Sequence, residues 1–333
     1  MAKATTGCEV KAAAESIYAA MQAKGGLKDV YCVACGGSLS AFYSVYYLLR
    51  NEAKSFDVAY MTANEFVHAT PVRVNENALV ITISMSGTPE TVEAAKKAKE
   101  LGATTISLAV SDDSPLFQYG DYNWIYNGRY FDFYYDLCSG SEALTLRLGF
   151  ELLRLADNYE NYDAAIDGFD KLNDMALRIM FRTRERAKKF GEAYKDDKMI
   201  YVLGSGANLG HAYSETICIF NEMVWVDAFC FNSGELFHGP FECCDQDQAY
   251  LVFVSEGRTR FMDLRALNFL RQHSEHVSVI DARELGVSQI AHEVEEYFSG
   301  LITGVAAGNY TAAIEFAKNH PNAERRYMHH FAY

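Results

Sequence analysis

The sequence predicts an α/β protein built from two copies of one domain, each a parallel sheet flanked by helices. An internal repeat is the first observation: residues 56–66 align with residues 226–236, with an Asp and a Glu at matching positions. The other matching pairs, at almost the same spacing, are 31–37 with 200–206 and 78–84 with 249–255. Three strand-like blocks in one order indicate a duplication. The second observation is that short apolar runs alternate with helical stretches, which is typical of βαβ units.

In each copy, three predicted strands alternate with two predicted helices, in the same order. The predicted strands are residues 30–34, 79–84 and 105–110 in the first copy, and 199–204, 250–255 and 277–281 in the second. The predicted helices are residues 39–50, 91–101, 211–225 and 260–272. Gly102 is a suitable C-cap for the second of them. The stretch NYENYD at residues 158–163 interrupts the pattern. We therefore predict two domains, 1–160 and 161–333, the second including a C-terminal tail.

Composition excludes several classes of function. The length of 333 residues predicts roughly two domains. The formal net charge of −14 argues against nucleic acid as a partner, since a protein that binds a phosphate backbone is expected to be basic. No apolar run approaches the roughly 20 residues that span a bilayer. The start, MAKATTGCEV, lacks the apolar core of a signal peptide. We therefore expect a cytoplasmic protein without a membrane partner.

The eight cysteines are scattered along the sequence, and we expect them to be reduced thiols. Cys32 and Cys35 form a C-x-x-C pair, but Cys32 lies inside an apolar run rather than at a helix start. That position disfavours redox or metal chemistry. Cys243 and Cys244 have no second ligand pair at metal spacing. We therefore expect no bound metal.

Two loops after predicted strands carry the residue types of an anion site. Ligands of open parallel sheets bind beyond the carboxyl ends of the strands. In the loop CGGS at 35–38, glycines let backbone N–H groups approach an anion, and Ser38 stands at the next helix. The loop SMSGTPET at 84–91 holds four hydroxyls and a glycine but no P-loop lysine. It therefore suits a monophosphate better than a triphosphate with magnesium. Ordinary helix capping is the competing interpretation, because Ser38, Thr88 and Thr91 are common caps.

A third feature lies in the second copy. Helical spacing aligns His211, Glu215, Cys218 and Glu222 in one polar stripe on an otherwise apolar segment. A carboxylate in such surroundings can act as a base near neutral pH. The simpler interpretation is that the stripe faces water. Downstream, His238 lies in the loop SGELFHGP between a strand and a Gly-Pro break. Such loops often carry function, although a lone loop histidine is more often a structural hydrogen-bonding group.

Together these motifs resemble the sugar isomerase (SIS) superfamily over essentially the whole chain. They are most similar to the deglycases of fructoselysine and fructose-asparagine 6-phosphates. The match rests on residues 33–38, the loop 84–91, the S-G-E-x-x-H-G-P string and the tail residues 324–327, ERRY. The isomerase domain of glucosamine-6-phosphate synthase is similar too, including a Glu sixteen residues before the His, here Glu222 and His238. The resemblance implies two tandem SIS domains with flavodoxin-like sheets.

The resemblance also implies roles for individual residues and a sugar 6-phosphate as the ligand. The residues implied to bind the 6-phosphate are Gly37, Ser38, Ser84, Ser86, Thr88 and Thr91. Glu222 is implied to move a proton between C1 and C2. His238 is implied to be an acid/base for ring opening or for a leaving oxygen or nitrogen, from its own or the neighbouring subunit. The family implies a homodimer or higher homo-oligomer with interface active sites, and the chemistry requires no cofactor.

Two departures from the family pattern leave alternatives open. Relatives commonly read S-x-S-G-x-T, whereas Thr88 directly follows Gly87, so either Thr88 or Thr91 fills the threonine role. The synthase uses a C-terminal lysine, whereas the tail here has arginines and ends at Tyr333. The expected function is a deglycase that converts a 6-phosphofructosyl amino acid to glucose 6-phosphate and an amino acid whose identity stays open. The alternatives are an aldose–ketose isomerase or amino-sugar 6-phosphate deaminase, and a non-catalytic phosphosugar sensor.

Overall fold

The computed structural model describes residues 3–128, 136–321, 323–328 and 330 of the chain. These residues form two compact units that divide between Asn173 and Asp174. This division falls inside a helix, later in the chain than the predicted limit at 160, and the domain limits 1–160 and 161–333 stay a prediction. Among the described helices, none is both long and apolar enough to cross a membrane. Tyr333, which the sequence comparison with the synthase singled out, lies outside the described residues.

The first unit holds a five-stranded sheet in the order β2-β1-β3-β4-β5, with each strand parallel to its neighbours. This is the strand order of a flavodoxin-like fold. The strands are β1 (Asp29–Ala34), β2 (Asp57–Thr62), β3 (Ala78–Ile83), β4 (Thr104–Ala109) and β5 (Tyr122–Ile125). The helices are α1 (Gly7–Gln22), α2 (Gly36–Ser40), α3 (Tyr43–Glu52), α4 (Ala63–His68), α5 (Pro89–Glu100), α6 (Ser141–Asp157) and α7 (Tyr162–Arg182), the last continuing past the division.

The second unit holds a four-stranded parallel sheet in the order β7-β6-β8-β9. Its strands are β6 (Met199–Gly204), β7 (Asp227–Asn232), β8 (Ala249–Val254) and β9 (Val277–Asp281). Its helices are α8 (Arg184–Tyr194), α9 (Leu209–Ser214), a π-helix (Glu215–Val224), α10 (Arg260–His273), α11 (Ala282–Leu285) and α12 (Glu295–Lys318). Short 3₁₀ turns occupy Pro115–Gln118, Leu137–Ser139, Gly206–Asn208, Ser233–Glu235, Pro240–Cys243, Gly257–Thr259 and Val287–Gln289.

The strand register confirms the duplication. Asp29 pairs with Asp57 at the start of β1 and β2, and Met199 pairs with Asp227 at the start of β6 and β7. The next strand, β3 or β8, lies on the other side of the first strand in both units. The predicted α/β fold with two parallel sheets is therefore confirmed.

Burial explains which apolar runs became central strands. Every residue of β1, β3, β4 and β8 is buried, whereas the edge strands β2 and β7 are only partly buried. Parallel sheets are covered by helices on both faces, so their central strands need continuous apolar sequence. In the first unit one face packs Tyr31 and Val80 against Phe66 of α4 and Ala94 of α5.

The structure has elements that the sequence did not predict, among them α1, α4 and α12. Strand β5 was not predicted, because only one of its four residues is buried and its apolar signal is weak. The helix predicted over 39–50 is split into α2 and α3, because the Phe42 N–H bonds the Leu39 carbonyl three residues back and tightens the turn. The helix predicted over 211–225 begins as α9 and continues as a π-helix.

Candidate active site

The two loops rich in glycine and hydroxyls begin side by side at the carboxyl edge of the first sheet. Val33 of β1 pairs with Thr82 of β3. Cys35 and Ser84, each two residues further along, therefore leave neighbouring strands that lie about 5 Å apart. Ligands of open parallel sheets bind at this edge. The fold therefore brings loops 35–38 and 84–91 together.

Ser84 organises the second loop. Its hydroxyl oxygen accepts from the backbone N–H groups of Gly87 at 3.1 Å and Thr88 at 2.9 Å. Its hydroxyl lies 3.4 Å from Thr88 Oγ1, which in turn lies 3.2 Å from Thr91 Oγ1. Ser84 and Thr91 are buried, whereas Ser86 and Thr88 are exposed. The result is a chain of three hydroxyls with Thr88 at its open end.

Thr88 occupies the N-cap position of α5, but its hydroxyl makes no capping bond to the described backbone. Thr91 is not a cap, because it lies within the first turn of the helix. The simple capping interpretation therefore does not account for either threonine hydroxyl. Both remain directed into the cluster that Ser84 begins.

Gly87 is required by the shape of this loop. Its φ of +79° lies in the left-handed region, which side chains other than glycine rarely adopt. A Cβ at this position would lie 2.7 Å from Pro115 Cγ. The glycine therefore lets the hydroxyl loop pass close to the turn Pro115–Gln118.

Gly37 and Ser38 lie in the first turn of α2. The N-cap is Cys35 and the helix begins at Gly36, whose φ is +55°. Ser38 is therefore inside the helix, and its interpretation as an N-cap is wrong. Gly37 is exposed and Ser38 is half-buried. First-turn N–H groups have no intrahelical acceptor, so this turn offers backbone donors beside the Ser84 loop.

The matching edge of the second unit is filled by its own carboxylates. Ser255, which follows β8, donates from its N–H and its hydroxyl to Asp263 Oδ2 at 2.8 and 2.5 Å. Asp263 is fully buried, and burial raises the pKa of its carboxyl. Beside it, the Arg258 N–H donates to Glu296 Oε2 at 3.3 Å. Asp263 therefore already occupies the Ser255 hydroxyl and N–H, and the arginines of this edge, Arg258 and Arg260, are paired with the carboxylates of Glu296 and Asp281.

Glu222 lies in an open groove at the amino-terminal edge of the second sheet, with a volume of about 760 Å³. Its lining comes from the start of β6, from residues 221–228, which run from the end of the π-helix into β7, and from residues 325–328 of the tail. Arg325 holds the Glu222 carboxylate, because its Nε and Nη2 both donate to Oε1, at 3.0 and 2.7 Å. The side chains of Arg325 and Glu222 are 14% and 24% exposed. Glu222 is thus an ion-paired carboxylate that a small molecule in the groove can reach.

The polar stripe predicted along residues 211–225 does not form one face. A π-helix bonds residues five apart, so the α-helical spacing of the stripe is lost after Glu215. His211 packs against Gly304 of α12, where an added Cβ would collide with the imidazole ring. Glu215 is buried and lies 3.5 Å from the Thr311 hydroxyl, and this burial raises the pKa of its carboxyl to about 8. The expectation that the stripe faces water is therefore wrong for Glu215, whereas Glu222 lines the groove.

His238 lies at the opposite edge of the second sheet. It follows the carboxyl end of β7, and its N–H donates to the Glu235 carbonyl at 2.9 Å. Its side chain is exposed. Glu222 precedes the start of β7, and this six-residue strand is about 20 Å long. A single unit therefore does not bring Glu222 and His238 to one point.

Trp225, which no sequence pattern singled out, forms a wall of the groove. Its φ of +56° places a non-glycine residue in the left-handed region, at a cost of about 1–2 kcal/mol. Its Nε1–H donates to the Glu222 carbonyl at 3.1 Å, and its ring lies 4.2 Å from the Arg326 guanidinium carbon. Strain of this kind clusters at functional sites. The available signal was that the chain has only two tryptophans, one of them directly after the Glu222 segment.

No described group of three or more His, Cys, Asp or Glu side chains is arranged to hold a metal ion. No disulfide joins any of the eight cysteines, all of which lie in the described part of the chain. Cys32 is buried inside β1, where burial raises the pKa of its thiol. Its position in the core removes it from the candidate site.

Comparison with known proteins agrees with this architecture. The SIS domain model matches residues 27–129, within the first unit. Fructosamine deglycase FrlB of Bacillus subtilis strain 168 is 34% identical over 311 residues, which cover 91% of this chain and 92% of that protein. Fructoselysine 6-phosphate deglycase of Escherichia coli strain K12 is 27% identical over 307 residues, covering 91% and 86%.

A solved structure extends the similarity to the whole chain. It is a crystal structure from Salmonella typhimurium LT2, provisionally described as a phosphosugar isomerase, with a TM-score of 0.93 and 37% identity. It covers 97% of this chain and 99% of the Salmonella chain. At this identity and coverage, the chain belongs to the SIS family of phosphosugar deglycases and isomerases and is an enzyme of that type.

Proposed function

We propose that this enzyme is a deglycase that cleaves a 6-phosphofructosyl amino acid into glucose 6-phosphate and the free amino acid. The observation that carries the proposal is the position of Glu222, a carboxylate held by Arg325 in an open groove. The similarity to proteins named fructosamine deglycase and fructoselysine 6-phosphate deglycase supports the same reaction. The tail beside Glu222 supplies arginines rather than the lysine that the synthase uses.

The reaction needs one proton transfer between carbons and one hydrolysis. Glu222 removes a proton from C1 of the ketosamine, and the C2 carbonyl receives the electron pair, giving an enaminol. Return of the proton to C2 gives an aldimine between C1 and the amino nitrogen. Water adds to C1 and the C1–N bond breaks, releasing glucose 6-phosphate and the amino acid. The substrate carbonyl is the electron sink, so no metal or cofactor takes part in the proposed reaction.

The hydroxyl cluster of the first unit is the proposed phosphate site. Ser86 and Thr88 are exposed at its open side, and Gly37 and Ser38 add the first turn of α2. Ser84 and Thr91 are buried, and both lie within hydrogen-bonding distance of Thr88 Oγ1. We therefore assign phosphate contact to Thr88 and a positioning role to Thr91. Hydroxyls and backbone N–H groups are suitable donors for a phosphate monoester.

His238 is the proposed acid/base for the oxygen or nitrogen atoms of the substrate. Since β7 separates it from Glu222 within one unit, we propose that a second copy of the chain supplies His238 to the site. This requires at least a homodimer with the active sites at the interface. Mixing Glu222→Gln with His238→Asn protein should then restore part of the activity that each variant lacks. No recovery after subunit exchange would contradict the shared site.

The central experiment replaces Glu222 with Gln. General-base catalysis contributes about 10²–10⁴-fold, so turnover should fall by that factor while binding of glucose 6-phosphate is retained. The measurement couples glucose 6-phosphate release from 6-phosphofructosyl lysine, asparagine and other amino acids to its dehydrogenase. Glu185→Gln, an exposed glutamate of α8, is the matched control. Near-normal turnover in Glu222→Gln would contradict the role of Glu222, and interconversion of fructose 6-phosphate without release would favour an isomerase.

A further inference from the structure

The groove that contains Glu222 presents two tail arginines in different electrostatic states. Arg325 is neutralised by Glu222 at 2.7 Å. Arg326 is exposed, and no carboxylate of residues 3–128, 136–321, 323–328 or 330 forms an ion pair with it. Asp227 also lines the groove. The chain has a net charge of −14, so any anionic ligand must be held by local donors. An arginine without a carboxylate partner is such a donor.

The position of Arg326 is set by Trp225. The guanidinium carbon lies 4.2 Å from the centre of the indole ring, a cation–π contact. The indole is itself held by its bond to the Glu222 carbonyl and by the His320 ring at 4.3 Å. Stacking uses the face of the guanidinium and leaves its edge N–H groups for another ligand. The groove therefore offers a planar donor next to the candidate base.

We propose that Arg326 binds the carboxylate of the amino-acid part of the substrate. This inference rests on the proposed function, whose substrate carries two anionic groups, a phosphate and a carboxylate. The hydroxyl cluster suits the phosphate, whereas a guanidinium edge matches a carboxylate with two parallel N–H donors. The enzyme therefore selects sugar adducts of amino acids over adducts of simple amines.

The test measures binding without turnover. The two ligands are the adducts of 6-phosphofructose with lysine, through its side-chain nitrogen, and with cadaverine, which is lysine without the carboxylate. In both, the C2 carbonyl is reduced to an alcohol, so neither can enter the proposed reaction. Titration calorimetry compares the wild-type enzyme with Arg326→Gln. The control is Arg184→Gln, because Arg184 is an exposed arginine of the same unit that stacks on Phe181 at 5.1 Å.

We expect the wild type and Arg184→Gln to bind the lysine ligand about 10–100-fold more tightly than the cadaverine ligand. Arg326→Gln should bind both ligands with the affinity of the cadaverine compound. Three results would overturn the inference: equal binding of both ligands by the wild type, an equal loss for both in Arg326→Gln, or no binding of either. An equal loss would indicate that Arg326 contacts the phosphate instead.

The same ligands separate this inference from the proposed reaction. Glucose 6-phosphate release from the unreduced lysine adduct tests the reaction, and the reduced pair tests carboxylate recognition. Absence of release together with a carboxylate preference would contradict the deglycase reaction but leave the Arg326 site intact. Release without a carboxylate preference would support the reaction and overturn the role of Arg326.

Discussion

Glu215→Gln tests whether the buried carboxyl of Glu215 lowers the free energy of unfolding of the second unit. The amide resembles the protonated acid in shape but does not ionise. Burial is the main cause that raises the pKa of Glu215, from an ordinary 4.5 to about 8. Glu315 raises it further, whereas the charge of His211 and the hydroxyl of Thr311 oppose the shift. The folded state therefore holds this proton more tightly than the unfolded chain does.

The sign of the pH dependence follows from proton linkage. Below pH 4.5 the carboxyl is protonated in both states, and above its raised pKa of about 8 it is ionised in both. Between these limits the folded state binds the extra proton, so the free energy of unfolding falls by about 1.4 kcal/mol per pH unit. The full window corresponds to about 5 kcal/mol at most. Glu215→Gln removes this dependence, so the variant gains stability over the wild type as the pH rises.

The assay is urea unfolding at several pH values from 5 to 8. The chain has two tryptophans, Trp124 in the first unit and Trp225 in the second. In a Trp124→Phe background, Trp225 fluorescence alone reports the second unit. The advantage of Glu215→Gln should be below about 1 kcal/mol at pH 5 and about 3–5 kcal/mol at pH 8. Parallel stability curves for the two proteins would refute the argument, and Glu185→Gln on the surface of α8 controls for the chemical change itself.

Three further outcomes concern the first unit and the number of sites. Thr88→Ala should raise the KM for the phosphosugar about 10-fold or more, because a phosphate contact is lost. Thr91→Ser keeps a hydroxyl, so its KM should stay within about 2-fold of the wild-type value in steady-state kinetics. Gly87→Ala should destabilise the first unit by at least about 1–2 kcal/mol, because φ is +79° and the Cβ would meet Pro115. In a Trp225→Phe background, Trp124 fluorescence should show a lower melting temperature for this variant. Calorimetry with glucose 6-phosphate should give one site per chain, because Ser255, Arg258 and Arg260 at the second edge are already paired with carboxylates; two equal sites would contradict that interpretation.

Sequence patterns predicted the parts of the fold that depend on continuous burial. Strands β1, β3, β4, β6, β8 and β9 have apolar runs that match the demand of a parallel sheet covered on both faces. Strand β5 escaped detection because an edge strand with one buried residue in four needs no such run. The repeat of residues 56–66 at 226–236 was detectable because an Asp begins both β2 and β7 and a Glu follows each strand at the matching position.

The candidate site was only partly predictable. The hydroxyl loop at 84–91 is contiguous in the sequence, so its composition was sufficient to propose an anion site. The hydrogen bonds among its hydroxyls could not be predicted from composition. Which hydroxyl is buried, as in Thr91, and which is exposed, as in Thr88, depends on how α5 packs. Only the family resemblance singled out Glu222. Helical spacing grouped it with Glu215 in one stripe, whereas the π-helix separates the two residues.

By itself, the sequence determined a duplicated α/β chain with parallel sheets, a hydroxyl-rich loop in the first copy and a tail containing Arg325 and Arg326, because these are properties of local composition and periodicity. Only the tertiary structure decided which groups are paired. It buries Glu215 under α12, brings Arg325 onto Glu222 from 103 residues away, and stacks Arg326 on Trp225. The physical reason is that pairing and burial depend on distances between segments remote in sequence, which no local pattern encodes.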